Sequence, residues 1–106
     1  MLADVMKIMF VCLGNICRSA MAEFMMNDAL QKRGLSGKYT IDSSATCSFE
    51  EGNPTYPKAL EKLHEHGVST YPHYSKPVKK SDYEKYDLFL GMPTVNNTNY
   101  GLAPCF

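Results

Sequence analysis

No Cys-x2-Cys pair occurs in this 106-residue chain, although it holds four cysteines, at positions 12, 17, 47 and 105. A structural zinc site is therefore not expected, and the spacing is not that of a disulfide framework in a small secreted domain. His64 and His66 lie two residues apart, on different faces of a helix, so they read as surface or hydrogen-bonded histidines and not as a metal pair. No metal and no organic cofactor is implied. An excess of either charge is also missing: 11 basic residues balance 11 acidic ones, with no basic stripe. That speaks against nucleic acid and against a membrane surface as partners. Long apolar runs are missing too. The run over residues 8–13 follows Ala3-Asp4 instead of a basic cluster and falls well short of the roughly 20 residues of a membrane-spanning helix. The expectation is a cytoplasmic chain folded as one domain, with an ordinary apolar fraction of 44%.

What is present is concentrated in residues 11–19, Val-Cys-Leu-Gly-Asn-Ile-Cys-Arg-Ser. An apolar, β-branched run precedes this stretch and an amphipathic pattern follows it, so Cys12 and Arg18 flank a strand-to-helix turn. Such a turn suits an anion. The helix N-terminus offers unpaired N–H groups and positive dipole, and successive N–H groups in a tight loop form a concave nest. Cys12 would aim its sulfur at that anion, and Arg18 would add a planar fork of donors for two phosphate oxygens. A helix N-terminus and a nearby cation favour the nucleophilic thiolate. The plainer alternative is a buried strand cysteine with a solvated arginine in the first helical turn.

Taken in order, residues 7–12 read as a central parallel strand, apolar on both faces. A helix is expected over 19–33, with Ser19 as N-cap and Gly34 as the C′ residue. Its inward stripe is Met21, Phe24, Met25 and Ala29, broadened by Ala22, Met26 and Leu30. A second strand covers 39–43 and leads through Ser43 into a loop that reaches Tyr56. Pro57 opens a second helix, Tyr56, Leu60 and Leu63 face inward, and Gly67 stops it. A long connection over 68–77, a short helix over 80–86 and a strand over 87–92 complete a domain spanning 1–92. Residues 93–106 show no period and read as an irregular tail. Tyrosines 71, 74, 83 and 86 read as half-buried packing residues, or alternatively as surface phosphorylation sites. The order β-α-β-α-α-β predicts an open parallel sheet with its ligand at the carboxyl ends of the strands. A sheet of three strands should leave one edge and one face poorly covered.

The chain resembles the low-molecular-weight protein tyrosine phosphatases. The resemblance rests on residues 11–19 followed by Ala20-Met21-Ala22-Glu23, and on Ile41-Asp42-Ser43-Ser44-Ala45-Thr46. Gly52-Asn53-Pro54, Pro57-Lys58-Ala59, His66-Gly67, His73-Tyr74-Ser75-Lys76 and residues 86–92 also fit. It implies an open parallel three-layer α/β fold of phosphotyrosine phosphatase I-like type, with flavodoxin-like strand order, lacking the last strand and helix. It further implies hydrolysis of aryl phosphate monoesters through a phosphocysteine on Cys12. Arg18 and the backbone N–H groups of Leu13, Gly14, Asn15, Ile16 and Cys17 would hold the phosphoryl oxygens, and Ser19 would hydrogen-bond the thiolate. Asn15, Ser43 and His73 would fix the loop shape, Phe49 would wall the substrate ring, and Cys17 would pair reversibly with Cys12 on oxidation. Phosphotyrosine proteins or small aryl phosphates, and inorganic phosphate, are the implied partners.

The departures from the family pattern lie downstream. The family's general acid is an aspartate in an Asp-Pro loop, and no Asp-Pro occurs in these 106 residues, so the expected general acid in this chain is none. Tyr56 and Pro93 stand where the family commonly has aspartates, and the sequence drifts from the family pattern after Pro93. Weak or no activity toward phosphotyrosine is expected. The alternatives are a non-catalytic phosphate- or phosphotyrosine-binding module and a thiol-dependent arsenate reductase. Cys47 and Cys105 are poorly placed for the disulfide relay of the latter.

Overall fold

In the computed structural model, which describes residues 5–92, the strand β1 (Met6–Cys12) lies between two parallel neighbours. Its partners are β2 (Tyr39–Ala45) and β3 (Leu88–Gly91), and the sheet order is β2-β1-β3. A central parallel strand is buried on both faces, which is why this run is apolar without alternation. Side chains at paired positions share a face: Ile8 stands beside Ile41 and Leu88, and Phe10 beside Ser43 and Leu90. Ile8, Phe10 and Ile41 pack with Leu30, and Ala22, Met26, Leu35, Tyr39 and Met92 close around them. Met9 points to the opposite face and is wholly buried there, its sulfur accepting the Ser44 hydroxyl at 3.2 Å. The order matches the first three strands of a flavodoxin-like sheet, and it puts the topological switch beside the carboxyl end of β1.

The helix α1 (Arg18–Lys32) begins one residue earlier than its sequence suggests. Cys17 is the N-cap and makes no side-chain cap bond. Ser19 is not a cap: it is buried in the first turn, where its hydroxyl is committed to Cys12 and Asn15. The C-terminus follows expectation. Gly34 has φ 71°, its N–H reaches the Gln31 carbonyl at 3.1 Å, and the Leu35 N–H reaches the Leu30 carbonyl at 2.8 Å, the paired bonds of a Schellman ending. The inward stripe differs from the expected one. Met25 and Ala29 face solvent, whereas Glu23 and Asp28 are buried. Both carboxylates are tolerated there because each is hydrogen-bonded: Asp28 holds Lys32 at 2.8 Å, and Glu23 belongs to the site described below.

A second cluster joins α1 to α2 (Pro57–Glu65): Ala20, Phe24 and Leu63 are buried, with Met21, Leu60 and Val68 against them. Gly67, at φ 76°, turns the chain out of α2 as expected. Tyr56, expected to face inward, is instead the exposed N-cap of this helix and makes no side-chain cap bond. An acceptor at that position would satisfy one of the free N–H groups of the first turn. Tyr56→Asp is expected to stabilise the fold by about 1 kcal/mol. A higher urea midpoint checks this, and an unchanged or lower midpoint would refute it.

β2 runs two residues beyond its expected end. Ala45 is captured by residues 76–78, donating to the Lys76 carbonyl and accepting from the Val78 N–H, both at 2.8 Å. The short helix α3 (Asp82–Lys85) then leads into β3, whose entry is fixed by the Lys7 N–H on Asp87 at 2.8 Å. Leu88 and Leu90 stay exposed among the described residues, so α1 covers the sheet over β1 and β2 and leaves β3 bare. No helix among the described residues is long and apolar enough to cross a membrane. The irregular tail expected over 93–106 lies outside the described residues.

Candidate active site

The carbonyls of the loop after β1 are taken up by bonds from the rest of the fold and from the first turn of α1. The Cys12 carbonyl accepts the Thr46 N–H at 2.9 Å and that of Leu13 accepts the Cys47 N–H at 3.3 Å. The Gly14 carbonyl accepts the Ser75 hydroxyl at 2.7 Å. The Ile16 carbonyl accepts the Tyr56 N–H, and that of Cys17 the Met21 N–H, both at 2.8 Å. A trans peptide points its N–H opposite to its C=O. With five carbonyls drawn outward, the N–H groups that follow them face the inside of the loop, as an anion nest requires.

Cys12 sits at the centre of that concavity and is buried. The Asn15 N–H reaches its sulfur at 3.2 Å and the Ser19 N–H at 3.4 Å, with the Ser19 hydroxyl at 3.0 Å. Cys12 and Cys17 are free thiols. Arg18, the first residue of α1, is exposed, while Leu13, Gly14, Ile16 and Cys17 are half-buried. Phe49 and Glu50 form one side of the mouth. A Cβ built on Gly14 would come within 3.3 Å of Glu50 Cγ and 3.8 Å of Phe49 Cζ, so Gly14 leaves room for both. Phe49 is 60% exposed, an aromatic face open to whatever enters.

Asn15 makes four side-chain polar contacts inside the loop. It has no exposed surface and stands at φ 58°, a left-handed conformation that asparagine adopts more readily than most residues. Its Nδ2 donates to Ser19 at 2.8 Å and to Ser43 at 3.0 Å. Its Oδ1 accepts the Lys76 N–H at 3.2 Å and lies 3.2 Å from His73 Nε2. The structure thus brings Cys12, Asn15, Ser19, Ser43 and His73 together, and puts Phe49 at the rim.

Four further residues were missed by sequence reasoning. Glu23 accepts the Ser43 hydroxyl at 2.6 Å, and its Oε1 lies 3.5 Å from His73 Nδ1. It stands four residues after Ser19 on α1, a spacing that places both on one helix face and was available as a signal. Ser75 and Lys76 come from the irregular 68–77 connection, where no period marks them. Asp42 holds Lys76 Nζ with both oxygens, at 2.9 and 2.8 Å, and accepts the Tyr86 hydroxyl at 2.9 Å. Burial raises the Asp42 carboxyl, but Lys76, the Ser43 N–H and Tyr86 together outweigh it and hold it below the ordinary value of 3.8. Burial, then the Asp42 carboxylate, pushes the Tyr86 phenol well above its usual range.

The depressed Asp42 carboxyl gives a pH prediction. A carboxyl lowered on folding adds stability that is present above its unfolded value, near 3.8, and is lost as pH falls through its folded value. Asp42→Asn should therefore lower the urea midpoint at pH 7 and cost progressively less as pH approaches 3. An equal cost at both pH values would remove Lys76–Asp42 as the tie between β2 and the loop.

Among the described residues, no group of three or more His, Cys, Asp or Glu converges as a metal site. The family model for low molecular weight phosphotyrosine protein phosphatase matches residues 7–101. The chain belongs to this family. It is 38% identical over 94 residues to the low molecular weight phosphotyrosine protein phosphatase of Schizosaccharomyces pombe, covering 88% of this chain and 60% of that protein. To the Gallus gallus protein of the same description it is 37% identical, over 88% of this chain and 58% of the relative. The crystal structure of YfkJ from Bacillus subtilis superimposes with a TM-score of 0.82 at 34% identity, over 91% of this chain and 60% of that one. A protein tyrosine phosphatase from Entamoeba histolytica gives 0.79 at 38%, over 88% and 59%. The chain therefore spans about 60% of the length of the phosphatases it matches. In this chain the three-stranded parallel sheet carries the cysteine loop at the carboxyl end of β1.

Proposed function

We propose that this chain binds phosphate monoesters in the loop 12–19 and hydrolyses aryl phosphates, phosphotyrosine among them, as a protein tyrosine phosphatase. The observation that carries the reading is the outward capture of five loop carbonyls around one buried cysteine sulfur. The Cys12 sulfur, as thiolate, attacks phosphorus. A P–S bond forms, the P–O bond to the aryl group breaks, and the electron pair leaves with the aryl oxygen. Water then attacks phosphorus, the P–S bond breaks, and phosphate and the thiolate are released. The loop N–H groups and the Arg18 guanidinium would stabilise the charge on the equatorial oxygens. Ser19 would hold the departing sulfur, and the Phe49 ring would line the substrate's aromatic group.

A phenolate leaves poorly without a proton, and general acid catalysis is typically worth about 10² to 10⁴-fold. No Asp-Pro pair occurs in these 106 residues. The chain should therefore turn over aryl phosphates with good leaving groups and act weakly on phosphotyrosine. Rates on a nitrophenyl phosphate and on phosphotyrosine test this. Turnover of the first exceeding that of the second by about 10²-fold or more is expected. Equal rates would show that a proton donor operates after all. Failure to bind inorganic phosphate would overturn the reading itself.

A further inference from the structure

The buried chain of hydrogen bonds behind Cys12 does not stop at Glu23. We propose that Tyr71 is a positioning residue for the phosphate loop, acting through Glu23, Ser43 and Asn15; the proposal rests on reading that loop as a phosphate cradle. The Tyr71 hydroxyl donates to Glu23 Oε2 at 2.5 Å, while its oxygen accepts Asn27 Nδ2 at 2.7 Å. Because Asn27 occupies the acceptor side, the phenol proton is directed at Glu23. The same logic repeats one step inward. Ser43 accepts from Asn15 Nδ2 at 3.0 Å and so turns its own proton to Glu23 Oε1 at 2.6 Å. Glu23 is the shared acceptor, with one oxygen for each hydroxyl, and it is almost wholly buried. Remove the phenol, and one carboxylate oxygen loses this donor. The carboxylate can then rotate and release Ser43, which in turn frees the Asn15 amide that shapes the loop.

The ring is placed to do this. Tyr71 meets Phe24 edge-on, with centroids 4.7 Å apart and planes at 77°, so α1 supports the ring while its outer part stays exposed. Burial, then the Glu23 carboxylate, pushes the phenol far above its usual range, so it stays a donor at neutral pH. Tyr71 lies in the irregular connection after α2, and none of the roles assigned to the loop requires it. Its bond to Glu23 makes it more than a packing residue.

Tyr71→Phe removes one oxygen and keeps the ring. In the 106-residue chain it should weaken inorganic phosphate binding about three- to tenfold. The ring-proton resonances of His73, which lies against Glu23 and Asn15, should move, and those of the exposed His64 and His66 should not. In a Glu23→Gln background the same substitution should add nothing further to the loss of affinity. If that background does not fold, Asn27→Ala replaces it, and a smaller loss of the same sign is expected. A Tyr71→Phe chain that loses thermal stability but keeps its phosphate affinity and its His73 resonances would overturn the proposal, as would full additivity with Glu23→Gln. If the unsubstituted chain binds no phosphate, the cradle reading fails, and the His73 resonances still decide the role of Tyr71.

Discussion

The Cys12→Ser chain is expected to release no measurable phosphate from a nitrophenyl phosphate, a loss of at least about 10³-fold, while binding inorganic phosphate at least as tightly as the unsubstituted chain. The two halves of this expectation come from different parts of the loop. Turnover requires a sulfur nucleophile, and serine at the same position is a far weaker one at neutral pH. Binding requires the inward N–H groups, and those are fixed by carbonyl bonds to Thr46, Cys47, Ser75, Tyr56 and Met21, none of which involves the sulfur. A neutral hydroxyl at position 12 also places no negative charge against a dianion, which favours binding. Calorimetric phosphate titration and a release assay on the same preparation separate the halves. Retained turnover would remove Cys12 as nucleophile. Lost binding with intact folding would mean that the sulfur, and not the backbone, organises the cradle.

The second large effect is expected at Asn15. Asn15→Ala should destabilise the fold by about 3–5 kcal/mol, a large share of the roughly 5–15 kcal/mol that holds a domain of this kind together. Alanine at φ 58° adds backbone strain of roughly 1–2 kcal/mol. The larger part is the loss of partners. Ser19 and Ser43 each lose a donated hydrogen bond, and the Lys76 N–H and His73 lose an acceptor, all around a residue with no exposed surface. Asn15→Gly isolates the strain, since glycine adopts this conformation without penalty, and should recover about 1 kcal/mol relative to alanine. Urea denaturation of the three chains measures both terms. A cost below about 1 kcal/mol for alanine would mean that water or neighbouring groups replace the amide, and that the loop does not depend on it.

The parts of this molecule that were legible in the sequence are those where a local pattern has one physical reading. Residues 7–12, apolar on both faces, gave the central strand, and Gly34 and Gly67 marked helix ends where a positive φ is needed. The cysteine loop was legible because its chemistry is compressed into eight consecutive residues, 12–19. Ser19 shows the limit of local reading. A serine before an amphipathic run reads as a cap, yet its hydroxyl is drawn away by Cys12 and Asn15. The stripe on α1 failed at Met25 and Ala29 for a related reason. Hydrophobicity alone ranks Glu23 as outward, and its bonds to Ser43 and Tyr71, 20 and 48 positions along, explain its burial. Tyr71 was illegible as a site residue, and Ser75 and Lys76 were marked only by resemblance, within His73-Tyr74-Ser75-Lys76. They reach Glu23, Gly14 and Asn15 across 48, 61 and 61 positions, from a segment whose irregular backbone gives no period to read.

During turnover these 106 residues are expected to carry a phosphoryl group on Cys12. Incubation with an aryl phosphate bearing a radiolabelled phosphoryl group, followed by a denaturing quench and peptide mapping, tests it directly. Label is expected on the peptide containing Cys12, absent from the Cys12→Ser chain and chased by further incubation before the quench. Phosphate release with no label on that peptide would contradict it.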